Sequence, residues 1–85
     1  MDSNKYHVYW RLDGAHTRPI SECDTFLQAC EIVRDAFSGI IPEWYGQRVH
    51  MCEVYGPHGS SHTLLGKSEA VEMIDFIRAK GKAAA

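Results

Sequence analysis

The chain has 85 residues and a formal net charge of −2, with 45% hydrophobic and 24% charged side chains. That length excludes two domains and leaves one with a thin core, while the composition excludes a disordered polar chain. The charge argues against a protein whose main task is holding phosphate backbones, and no apolar run approaches the roughly 18 residues that span a bilayer.

The first element is a strand over Tyr6–Leu12. Tyr6, Val8, Trp10 and Leu12 share one face and are candidate core; His7, Tyr9, Arg11 and Asp13 share the other. Asp13-Gly14 signals a hairpin, because both residues tolerate positive φ. The returning strand, Thr17–Ile20, ends near Ser21, and Pro19 marks it as an edge strand or an irregular pairing. Ser21-Glu22-Cys23-Asp24 fits a capping box, so a helix starts at Ser21 or Asp24. It runs to about Ser38 with Gly39 as its stop, burying Phe26, Cys30, Val33 and Phe37 and wetting Gln28, Glu31 and Asp35.

Residues 39–46 read as an aromatic connector. Pro42 biases Ile41 to extended geometry, which excludes a regular helix there. Ile40, Ile41 and Trp44 either fold back over the open end of the core, or Trp44 and Tyr45 serve in binding. A second unit begins at about Gln47. Val49–Tyr55 forms a strand whose alternation leaves the facing of Glu53 and Tyr55 open, and a bulge would reconcile it. Gly56–Gly59 turns, His62–Leu65 returns, and Ser68 caps a second helix. Glu69 in its first turn and Arg78, Lys80 and Lys82 near its end complement the helix dipole.

Counted from Asp24 and Ser68, the two helices place apolar residues at the same offsets: Phe26, Leu27, Ala29, Cys30, Ile32 and Val33, then Ala70, Val71, Met73, Ile74, Phe76 and Ile77. Any two helices that bury one face share much of this pattern, so it does not require a duplication. It predicts an α+β domain with an ordered core of about 5–80. Two consecutive β-β-α units, 5–38 and 47–80, are joined by a loop at 39–46. They form a mainly antiparallel sheet of about four strands with two helices on one face. Ile32 and Phe76 each put a large apolar side chain on a polar helix flank. Such flanks serve either a protein contact, most simply a homodimer, or packing of the two helices against each other.

Candidate chemistry is sparse. Cys23, Cys30 and Cys52 cannot all pair within one chain, and Met1–Lys5 has no apolar run, so free thiols in a reducing cytoplasm are expected. Cys52, His58 and His62 are the residue types of a zinc site, but their spacing matches no finger or ribbon pattern. Cys52 near His50 lacks any elbow, oxyanion hole or activating helix end, and no glycine loop opens a helix. Neither an enzyme nor a cofactor is expected. His7, Tyr9 and Arg11 would let an open sheet face stack bases and hold phosphate.

The pattern looks broadly like that of small bacterial domains, with no family singled out. The reading that follows is a small non-enzymatic interaction or regulatory module. It would associate with itself or another protein through Ile32, Phe76, Trp44 and Tyr45. The alternatives are a nucleic-acid-binding sheet and a metal or thiol site.

Overall fold

A strand with one apolar face needs a cover for that face and partners for its backbone, and the first strand obtains both. The computed structural model describes residues 4–84, with side chains through Gly81. Its elements run β1 (Tyr6–Arg11), β2 (Thr17–Cys23), α1 (Phe26–Phe37), β3 (Glu43–Trp44), β4 (Gln47–Arg48), β5 (Met51–Tyr55), β6 (His62–Leu65) and α2 (Lys67–Ala84). β1 and β5 pair antiparallel at the centre of a four-stranded sheet ordered β2-β1-β5-β6. The order reads the same from either edge: second strand, first strand, first strand, second strand. β3 and β4 form a separate small hairpin.

The cover comes from both helices. Val8, Trp10, Cys52, Val54 and Leu65 of the sheet pack with Ala29, Cys30 and Val33 of α1 and Ala70 and Ile74 of α2. Ala29, Cys30 and Ala70 are fully buried, and such small side chains let helices and sheet approach closely. Trp10 meets Phe37 edge-on at 4.9 Å, and Tyr6 meets Phe26 at 6.0 Å. The α+β class and the antiparallel sheet match the sequence expectation. Among the described residues no helix is long and apolar enough to cross a membrane.

The boundaries differ in several places. β2 runs on through Cys23, with Val8 opposite Ser21 and Tyr6 opposite Cys23, so neither Ser21 nor Asp24 caps α1. Thr25 does: its hydroxyl accepts from the Gln28 amide at 3.1 Å, and the Gln28 side chain accepts from the Thr25 amide at 3.1 Å. The expected bulge in β5 is absent; the irregularity lies between Val8 and Tyr9, opposite the stretch that holds Pro19. Ser68 lies inside α2, which starts at Lys67, with the Ala70 amide bonded to the Gly66 carbonyl at 3.0 Å.

The connector is more ordered than a loop. Tyr45 and Gly46 both have positive φ, 53° and 78°, the pattern of a tight two-residue hairpin turn. Ile41 and Trp44 pack against the core, whereas Ile40 is 97% exposed.

Thr25→Ala is expected to lower stability by about 1 kcal/mol, while Ser21→Ala and Ser68→Ala change it by less than about 0.5 kcal/mol. Urea unfolding followed by circular dichroism checks this ordering.

Candidate functional site

The helices leave one sheet face uncovered, and strand alternation decides what it carries. On β1 it is His7, Tyr9 and Arg11; opposite them on β5 stand Tyr55, Glu53 and Met51, and β6 adds His62 and Leu64. Glu53 is the buried charge of this face, only 8% exposed. The Tyr55 hydroxyl donates to its Oε2 at 3.2 Å. Arg11 Nε and His62 Nε2 lie 3.8 and 3.5 Å from its Oε1. Burial first, then the neighbouring Glu53 charge, raises the Tyr55 phenol above its ordinary value. Tyr55 and His62 stack in parallel at 4.6 Å, and Tyr9 meets Tyr55 edge-on at 5.7 Å.

The sequence candidates His7, Tyr9 and Arg11 are therefore brought together. Glu53, Tyr55 and His62 complete the cluster, and the period-two rule applied from Met51 would have placed the first two. The arrangement is an aromatic platform around a carboxylate that faces a guanidinium. Arg11 spends part of its charge on Glu53, which weakens the face as a phosphate holder.

The residues proposed for metal do not converge. Cys52 lies opposite Leu65 with its side chain fully buried in the core, while His62 stands on the open face. His58 sits exposed in the short turn Pro57–Gly59, with a φ of 57°. Among the described residues no group of three His, Cys, Asp or Glu is placed to hold a metal ion. Burial pushes the Cys52 thiol up to about 12 and the Cys30 thiol up to about 11. A thiol so raised is a poor nucleophile at neutral pH.

Trp44 and Tyr45 meet edge-on at 5.0 Å but differ in exposure. The Trp44 indole donates to Asp13 Oδ2 at 3.1 Å, and its ring lies 5.4 Å from His16. Asp13 Oδ1 accepts from the Ala15 and His16 amides at 2.9 and 3.0 Å, and the His16 Nδ1 lies 2.8 Å away. The Ala15 hydrogen bond first, then the His16 contact, holds the Asp13 carboxyl down at about 2. Trp44 thus straps the β3–β4 hairpin to the turn between β1 and β2. Tyr45 is 88% exposed beside a groove of about 360 Å³.

Ile32 and Phe76 do not meet. The helices touch along their inner flanks, where Arg78 Nη2 donates to Glu31 Oε2 at 2.7 Å. Phe76 precedes Arg78 by two residues, about 160° around the helix, so it lies on the outer flank. There it is 63% exposed. Ile32 is half-buried on the other helix, beside Lys5, Glu22 and Cys23 at the β2 edge.

The chain matches no protein-family model, no curated protein and no solved structure.

The raised thiols carry a pH dependence. A buried thiol that stays protonated stabilises the fold below the unfolded thiol value of about 8.5, and that contribution is lost as pH rises towards the folded value. The urea midpoint is expected to fall from pH 8 to pH 10, and to fall less in Cys52→Ala. In the native state a thiol reagent should label Cys23 well before Cys30 or Cys52. A flat midpoint, or early labelling of Cys52, would contradict its placement.

Proposed function

We propose that this chain is a small non-enzymatic interaction module that self-associates through the outer flank of α2 and the β6 edge beside it. The reading is carried by the exposure of Phe76, a large aromatic side chain turned away from the chain's own helix pair. The two sheet edges support it by their difference. The β2 edge is blunted by Pro19, by the irregular pairing beside it and by exposed Arg18 and Glu22. The β6 edge, His62-Thr63-Leu64-Leu65, has no proline, bulge or fixed charge. α1 packs over β1 and β2 and α2 over β6, so the outer flank of α2 borders that unprotected edge. Leu64, 38% exposed, adds apolar surface on the opposite side of the same strand. The free cysteines suit a reducing, cytoplasmic setting.

Native mass spectrometry of the untagged protein should show twice the 9.6 kDa chain mass. Phe76→Asp should keep the wild-type circular dichroism and shift the population to monomer. A folded Phe76→Asp protein with its assembly intact would remove this flank as the interface.

The stacked Tyr55–His62 pair with Tyr9 and Arg11 favours a second reading, a platform for single-stranded nucleic acid. On that reading Arg11→Ala weakens oligonucleotide binding at low salt and flattens its salt dependence. No binding by the wild type at low salt would end it.

A further inference from the structure

The outer flank of α2 is written so that a reversed copy of itself complements it. Glu69, Met73, Phe76 and Lys80 fall within an arc of about 60° on the helix. Glu69, Phe76 and Lys80 are exposed and Met73 is half-buried. Among the described residues neither Glu69 nor Lys80 is in an ion pair. Along the helix the order is acid, apolar, apolar, base. The outer pair and the inner pair share one midpoint, between Ile74 and Asp75. Turned end for end, the stripe therefore meets itself with base on acid and apolar on apolar.

We infer that a second copy of this chain covers this flank, with the two α2 helices antiparallel about a two-fold axis at that midpoint. Phe76 then packs on the partner's Met73, and Glu69 faces the partner's Lys80. The two β6 edges lie on the same side of the helices and run antiparallel to each other. The inference rests on the reading that the chain self-associates and names the occupant and its register. A two-fold interface uses the same patch on both copies, so each pairing occurs twice. That symmetry is what a self-complementary stripe provides, and what an unrelated partner would not require.

Glu69 near the start of α2 and Lys80 near its end also suit the helix dipole, and that explanation involves no second copy. Charge reversal separates the two. Sedimentation equilibrium would be run on the full chain as wild type, Glu69→Lys, Lys80→Glu and the double reversal, each checked for folding by circular dichroism. Each single reversal should weaken the dimer about fivefold to tenfold, because two-fold symmetry counts the lost pair twice. The double reversal should restore the wild-type constant, although it opposes the dipole and should lower the urea midpoint. Raising salt from about 0.1 M to 1 M should shrink the differences between variants, as the screening length falls from about 10 to 3 Å.

A wild-type dimer that the single reversals leave unchanged, or a double reversal weaker than both singles, overturns this register while self-association stands. A wild type that remains monomeric at millimolar concentration overturns both.

Discussion

The ladder between β1 and β5 joins the two halves of the chain, and the remaining architecture follows from it. It sets Val8 opposite Val54 and Trp10 opposite Cys52, a continuous apolar plate at the centre of the sheet. Burying side chains of this size contributes about 1.5–3 kcal/mol each, a large share for a domain this small. With β1 and β5 in the middle, β2 and β6 can only be edges. Each helix then returns over its own half, and the two meet above the plate. The same ladder turns Tyr9, Glu53 and Tyr55 to the other side, which neither helix covers.

The thin core explains the use of its cysteines. Cys30 and Cys52 are fully buried among aliphatic side chains and act as small apolar fillers. Burial is the largest cause of the upward shift at both thiols; it acts alone at Cys52, while at Cys30 the neighbouring Cys23 and Glu31 add to it and a backbone hydrogen bond opposes it. The ends of the core are closed differently. Phe37 packs on Trp10, while Asp13 takes the Trp44 indole and so ties the small hairpin down. Of the two roles open to the aromatic-rich segment, folding back over the core is taken by Ile41 and Trp44, while Ile40 and Tyr45 are left outside.

What was legible in the sequence was periodicity sustained over several residues. The alternation of 6–12 and the apolar offsets of the two helices placed the sheet, the helices and the buried stripe of Cys30 and Val33. Boundaries were not legible where two local solutions compete. Ser21 has the residue types of a capping box, but ladder hydrogen bonds to β1 hold it in a strand, and Thr25 takes the cap. The β3–β4 hairpin has strands of two residues, too short to show any period. Val49 obscured the facing of Glu53, since it is buried yet lies outside β5. For the candidate site, the polar flank position of Phe76 was readable from the wheel. Whether it faced α1 or the outside needed the Arg78–Glu31 contact.

Residue-level amide hydrogen exchange, followed as the protein is diluted, addresses the self-association surface most directly. The account predicts that amides of β6 and the outer flank of α2 are protected at high concentration and lose that protection on dilution, while β1 and β5 stay protected throughout. Exchange in β6 that is independent of concentration, or concentration-dependent protection confined to β2 or to the open sheet face, would contradict it.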